Sequence, residues 1–511
     1  MERFVRVYED RVIGVLSGFD RVLFRGTLRS LAYSDGLWAW LSAQRVLFKD
    51  FKAFAQMVAT RMKQHAEQLA AQAGRPFQYI ASSAISKEAL AEANRERDGV
   101  TEGLVCVLSC VEPCQSYEIR KNRGTQRLEL AAAQRKCLHL YFYFVDREFG
   151  LMHVRLQTWL PLTVQVCLNG REYLARQMDR AGIGYEQRDN CFTRIDDLPQ
   201  AQRLLDRLMT RKWAKFLDAL ARRLNPWFAR GSRFEFGQYY WTLRQSEYAT
   251  DVMFRDAEAL AEVYPHLAEH AWRCFAARDV LRFLGRRTNR RFSGEVTTKV
   301  DERPEGLCVK HRVEENSIKM YDKQQSVLRI ETTINDPRRF KVRRAVTRKS
   351  RPCMAWAPMR KGLADLPRRV EVSRAANERY LEALAEAVLS APACQVLDPV
   401  SRRVTRRGRP HRALRPLSPD ETAVFAAVLR GEHAMQGFRN RDLSRALGWD
   451  RDQSLRRQMS ARITRLLALL RAHGLIAKVS HTRYYRVTTK GHQVMTTSLK
   501  LRQLNLHALA A

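Results

Sequence analysis

The stretch LCVKHRVEENSIKMYDKQQSVLRIETTIN, Leu307–Asn335, decides the fold. Its residues alternate with the period of two that sends successive side chains to opposite faces of a strand. A polar turn at Glu314–Asn316 divides it, and two more short strands complete a small antiparallel meander. Lys319, Tyr321 and Lys323 then share one strand face, and Arg329, Glu331 and Thr333 share one face of the next. Ile318, Met320, Val327 and Leu328 supply the apolar cover that such polar stripes need.

Outward from this meander, strand patterns and helix patterns mix. RVIGVLSGFDRVLFRGTLR near the start reads as strand, tight turn, strand, while Phe51–Gln72 and Ser86–Arg97 have helical apolar spacing. LVCVLSCVE, KCLHLYFYFVD and LMHVRLQTWLPLTVQVCLNG read as strands, YEIRKNRGTQRLEL as a hairpin, and FEFGQYYWTLRQSEYATDVMF as an aromatic strand. Helices are expected up to Gly182, from about Phe192 to Leu224, and over Ala257–Leu284. The fold class is therefore α+β and multidomain, with a central antiparallel sheet carrying a helical insertion. The expected parts are an N-terminal α/β region (1–100), the central domain (101–345), a helical connector (346–397), an Arg-rich linker (398–416) and a C-terminal winged-helix domain (417–511).

Charge sets the class of partner. Ninety Lys plus Arg stand against 54 Asp plus Glu, a net +36 over 511 residues. Such an excess calls for a polyanion, and nucleic acid is the usual one. A membrane surface would need an amphipathic or lipidated anchor, and the sequence has neither that nor an apolar run near the ~18 residues of a membrane span. The charged N-terminus lacks the apolar core of a signal peptide, which predicts a cytoplasmic protein with reduced thiols. Cys106, Cys110 and Cys114 lack a metal-knuckle spacing and read as part of a buried strand.

At the C-terminus a helix opens at SPDETAVFAAVLRGE, a short one follows at RNRDLSRALGW, and a long one runs through SLRRQMSARITRLLALLRAHGLI. AKVSHTRYYRVTTKG then alternates like a hairpin. The phrase LLRAHGLIAKVSHTRYYRVTTKG resembles the winged-helix domains of bacterial MarR-type regulators. That resemblance implies a third helix in the major groove, with Arg456, Arg457, Arg462 and Arg465 as contacts, and a wing placing Lys478, His481, Arg483 and Arg486 on the backbone. The preceding tract SRRVTRRGRPHRALRP, with Arg402, Arg403, Arg406, Arg407, Arg409 and Arg412, is expected to be an unpacked arm along phosphates.

In the central stretch, Lys-x-Tyr-Asp-Lys followed by Leu-Arg-x-Glu resembles the signature of rolling-circle replication initiators of plasmids and filamentous phages. The resemblance implies a mobile-element or plasmid-type enzyme that nicks or transfers DNA strands. Tyr321 would be the nucleophile, Lys323 and Arg329 would neutralise phosphate charge, and Glu331 would hold Mg²⁺ or Mn²⁺. The His-hydrophobic-His triplet of those initiators is absent, so His139 and His153 on neighbouring strands, and Asp20 in GFDRVLFRGTLR, are the further metal candidates. Tyr248, beside Glu247, is the competing nucleophile, and Glu112 and Glu118 are further acidic candidates. Two non-catalytic readings stand beside the enzyme: a DNA-binding transcriptional regulator and a structured-RNA-binding subunit, neither needing a cofactor.

Overall fold

A computed structural model describes residues 1–82, 84–228, 232, 234–286, 294–303, 306–348, 351–385, 393–406, 408–430, 437–449, 456–479 and 482–503. The chain is α+β. Its strands are β1 Val12–Leu28, β2 Phe77–Ile80, β3 Gly103–Lys121, β4 Leu128–Asp146, β5 Gly150–Gln157, β6 Val164–Asn169, β7 Tyr185–Arg188, β8 Cys191–Ile195, β9 Tyr239–Phe254, β10 Val296–Arg303, β11 Gly306–Val313, β12 Asn316–Lys323 and β13 Val327–Ile334. Eleven of them form one sheet, in the order β10-β11-β12-β13-β9-β1-β6-β5-β4-β3-β2. The β2–β3 pair is parallel and the other neighbours are antiparallel.

This topology corrects the expected boundary at residue 100. β1 lies between β9 and β6, so the N-terminal region supplies a central strand of the sheet that the later residues build. β1 is also one continuous strand of 17 residues rather than strand, turn, strand. Gly18 lies inside this strand and is needed for close packing: a Cβ there would sit 2.2 Å from Leu205 Cδ2. The meander at Leu307–Asn335 forms as expected, with Lys319 opposite Glu331 and Tyr321 opposite Arg329.

Helices cover the sheet unevenly. α1 (Glu2–Val7), α2 (Ser34–Ala43), α3 (Phe51–Gln72), α4 (Lys87–Arg97), α5 (Gly170–Ala181), α6 (Leu198–Asp206), α7 (Trp213–Leu224), α8 (Ala257–Cys274), α9 (Ala277–Phe283) and α10 (Leu366–Leu384) belong to this body. One apolar core joins α2, α3 and α7 to β1 and β4–β6, and a second joins α1, α8, α9 and α10 to β9–β13. The supposed connector helix, α10, is thus part of the core. Its fully buried Asn377 donates to the carbonyls of Tyr248 and Ile330, both at 3.0 Å, and accepts from Thr332 Oγ1 at 2.6 Å. That amide clamps β9 to β13 and fixes which residues of each strand face away from α10.

The last part of the chain has its own core. α11 (Ala393–Leu397) leads to a hairpin of β16 (Val404–Arg406) and β17 (Arg409–His411), and α12 (Pro419–Val428) follows. Helices Asn440–Ala446 and Arg456–Ala472 come next, then β18 (Ile476–Lys478), β19 (Tyr485–Val487) and a closing helix Thr489–Gln503. The Arg-rich tract differs from the expected loose arm. Val400 and Leu414 of the tract are buried in this third core, beside Val396 and Leu397 of α11 just before it, and Arg406 Nη1 donates to the Arg471 carbonyl at 2.6 Å. Apolar residues spaced through a basic tract are enough to dock it, since each buried Val or Leu contributes roughly 2 kcal/mol. Among the described residues no helix is long and apolar enough to cross a membrane.

Candidate metal centre

Asp20, Glu247 and Glu331 converge on the sheet face opposite α10. They come from three neighbouring strands, β1, β9 and β13, and their carboxylate oxygens lie within 4.8 Å of one another. The placement follows from register. Glu247 pairs with Arg21 on one side and Thr333 on the other, and Glu331 pairs with Ala249. β1 carries a bulge between Phe19 and Arg21, so Asp20 is the extra residue. A bulge re-aims the side chain it carries. Phe19 meets Tyr248 on the α10 side at a ring distance of 5.7 Å, while Asp20 reaches the other face.

A buried ion-pair network holds Asp20 in place. Arg329, 1% exposed, donates twice to Asp251 (2.6 and 2.9 Å), to Asp20 Oδ1 at 3.2 Å and to the Asn190 carbonyl at 2.7 Å. Asn190 Nδ2 donates to Asp20 Oδ1 at 2.7 Å, and Arg171 Nη2 donates to Asp251 at 2.8 Å. Burial alone would raise the Asp251 carboxyl, but Arg171 and Arg329 hold it below its ordinary value. Arg329 therefore positions Asp20 and has no free donor face for a phosphate, contrary to its expected role. Lys323 pairs with Asp189 at the cavity rim.

The three acids are balanced unequally. Glu331 accepts from the Tyr321 hydroxyl at 2.9 Å, and its Oε1 lies 3.0 Å from Lys319 Nζ, close enough to pair although poorly aligned for a hydrogen bond. Burial and then the Glu331 charge push the Tyr321 phenol up. Glu247 has no ion pair among the described residues and receives one bond, from Gln245 at 3.3 Å. Burial, then the neighbouring Glu331, raise its carboxyl to about 7. Two like charges at this spacing repel by roughly 3–4 kcal/mol at an effective dielectric of about 20. A divalent cation relieves that repulsion, and oxygen donors suit Mg²⁺ or Mn²⁺.

Asp20 and Glu247 open onto a cavity of about 760 Å³. Six carboxylates line it (Asp20, Glu88, Glu92, Glu172, Asp189 and Glu247) against the guanidinium groups of Arg21 and Arg95, with Tyr143 and His153 on the wall. His153, lowered to about 4 by burial, sits neutral with its ring 5.0 Å from Tyr143.

Other expected residues fall elsewhere. Tyr248 is 1% exposed on the α10 side, its hydroxyl accepting from Arg374 Nε at 3.0 Å, so the strand period removes it from the site. His139 pairs in register with Gln157 and His153 with Tyr143, which separates the two histidines by four residues, about 13 Å along the strand. His139 instead joins Cys114 and Cys137, whose sulfurs are 2.8 Å apart, and its Nδ1 contacts the Cys137 carbonyl at 3.2 Å. Glu112 is held by Lys87, Arg155 and Tyr141 at 3.0, 2.7 and 2.6 Å, a closed group, and Glu118 pairs with Arg135 at 3.0 Å. Glu247 was missed as a ligand. The signal for it was an acid inside an otherwise buried strand.

Of the basic candidates at the C-terminal end, Arg402, Arg403, Arg409, Arg462, Arg465, Lys478, Arg483 and Arg486 are exposed, with Arg462 stacked 4.4 Å over Trp449. Arg412 pairs with Glu421 at 2.6 Å, and Arg406 is tied to Arg471 as described. Arg407, His481 and the side chains of Arg456 and Arg457 lie outside the described residues. A search of protein-family models, of curated proteins and of solved structures finds no match to this chain.

Proposed function

We propose that the protein is a nucleic-acid-binding enzyme that cuts or transfers phosphodiester strands, DNA in the first instance, with Mg²⁺ or Mn²⁺ held by Asp20, Glu247 and Glu331. A mismatch of charge carries the reading. The chain is +36, yet the cavity onto which two of these acids open gathers six carboxylates, Asp20 and Glu247 among them. A polyanion drawn to the surface is repelled from such a cavity unless cations stand between carboxylate and phosphate. A bound divalent ion supplies charge stabilisation for the scissile phosphate and acidifies water.

The chain's own residues divide the remaining work. Arg329, Asn190 and Arg171 hold Asp20 and Asp251 in a fixed arrangement. Arg21, exposed on the cavity wall opposite Glu247, is the cation placed to meet a phosphate. The Tyr321 hydroxyl is engaged by Glu331 and is not part of the cavity wall, which favours water over tyrosine as the attacking group. The order of the C-terminal helices, followed by a short hairpin with exposed Lys478, Arg483 and Arg486, supports the winged-helix reading and a role in holding the substrate.

The test is a gel assay on supercoiled and single-stranded DNA with Mg²⁺ or Mn²⁺. Glu247→Gln keeps the shape and removes the charge, so it should abolish cleavage and leave nucleic-acid binding intact. Tyr321→Phe should keep most of the cleavage. Wild-type protein that cuts no substrate with either ion would sink the enzyme reading.

A further inference from the structure

We infer that the hairpin of β14 (Lys341–Arg348) and β15 (Arg351–Pro358) is a platform on which bases of a single nucleic-acid strand stack. The inference rests on the nucleic-acid reading above and adds where, and in what form, the strand is held. Among the described residues β14 and β15 pair with each other and with no strand of the large sheet. Their register sets Arg343 opposite Trp356 and Ala345 opposite Met354. The strand period puts these four residues, with Lys341, on one face.

That face is open. Trp356 is 69% exposed and Met354 56%, and Lys341 and Arg343 are exposed beside them. The other face is anchored, because Val342 is buried in the second core and Arg368 Nε donates to the Arg343 carbonyl at 3.0 Å. An indole left in water on an anchored hairpin is unusual for a residue that ordinarily buries most of its surface. Neither Lys341 nor Arg343 has an ion pair among the described residues, so both remain for phosphates. An aromatic face flanked by cations is the arrangement that binds single strands, whose unpaired bases expose a π-face that duplex DNA keeps stacked inside.

The platform is joined by short chain segments to two of the strands that carry the site. β14 follows β13, which bears Glu331, by way of the short turn Pro337–Arg339. The chain then returns to β9, where Leu243 N donates to the Lys361 carbonyl at 2.8 Å, four residues from Glu247. There the Arg29 guanidinium lies 3.9 Å over the half-exposed Tyr240 ring, a cation–aromatic pair.

The experiment is equilibrium binding of the full chain to a fluorescent oligothymidylate, an oligouridylate and a duplex of equal length, in chelator so that no cleavage occurs. Trp356→Ala should weaken single-strand binding by roughly tenfold, spare the duplex and leave the salt slope unchanged. Trp356→Phe should recover most of the loss. Arg343→Ala should lower both affinity and salt slope. Unchanged thermal unfolding is expected for an exposed position. Wild-type affinity in Trp356→Ala, or an equal loss on duplex, would overturn the platform. Because the assay needs no divalent ion, a failed cleavage test with this pattern intact would remove only the carboxylate reading.

Discussion

Arg329 has almost no contact with solvent, yet the position of Asp20 depends on it. Removing one partner of a buried ion-pair group leaves the others charged and unpaired, at a cost of about 3–5 kcal/mol. Arg329→Met should therefore destabilise the fold by that order in urea unfolding and loosen Asp20. Adding Asp251→Asn should recover part of the loss, because Asp251 is the acid left most deeply buried. Additive losses in the double variant would show that the two groups act apart. His311 offers a pH test at the same scale. It is fully buried between Thr298 Oγ1 (2.9 Å) and the Tyr380 hydroxyl (3.0 Å), and burial lowers it to about 4. The unfolded chain takes up a proton near pH 6.5 that the folded chain refuses until about pH 4, so stability falls as pH drops through that window. The full effect is roughly 3 kcal/mol. His311→Gln should flatten that part of the pH dependence of the urea midpoint; an unchanged slope between pH 7 and 5 would contradict it. Glu331 was legible as an acid in a strand pattern, and Asp20 as a candidate acid in a strand–turn pattern. The error over Tyr248 arose because one residue along a strand is the opposite face.

At the scale of elements, the β1 bulge is what a sequence pattern hides. Asp20 and Gly26 in GFDRVLFRGTLR suggested a turn, since glycine and aspartate commonly sit in turns. Here the glycines serve close approach. A Cβ on Gly170, at the start of α5, would lie 1.8 Å from the Phe19 carbonyl, next to the bulge. Backbone must move to admit it, and overpacking of this kind costs about 1–3 kcal/mol or more. Gly170→Ala should lower the melting temperature and also weaken Mn²⁺ binding at Asp20, read by calorimetry. A lower melting temperature with unaltered Mn²⁺ affinity would separate the bulge from the site. Phe51–Gln72 and the meander were readable because their periods are long and regular. Strand order was not, because β1 pairs with β9, more than 200 residues away, and local pattern carries no information about such partners.

Across the whole molecule, charge and core do not divide where composition changes. The basic excess is uneven, +1 over residues 101–200 and +17 over 401–511, and the Arg-rich tract at 398–416 marks a shift in composition without marking the edge of a folded unit. The third core begins earlier, with Val396 and Leu397 of α11, and takes in Val400 and Leu414 before α12 starts. His473 Nε2, at the end of the long helix, contacts the Arg412 carbonyl at 2.8 Å, and Glu421 accepts from the Arg415 amide at 2.7 Å. A fragment cut at 417 loses all of these. Four buried aliphatic side chains at roughly 2 kcal/mol each amount to much of the 5–15 kcal/mol that stabilises a domain. A fragment starting at residue 393 should therefore unfold cooperatively on heating, while one starting at 417 should melt at least 10 °C lower on the usual scale of about 4–8 °C per kcal/mol, or not fold. The longer fragment should also bind duplex DNA with an affinity that falls steeply from low to moderate salt. Equal stability of the two fragments would mean that the tract packs without stabilising. Stable folding with salt-independent DNA binding would move nucleic-acid recognition away from this end of the chain.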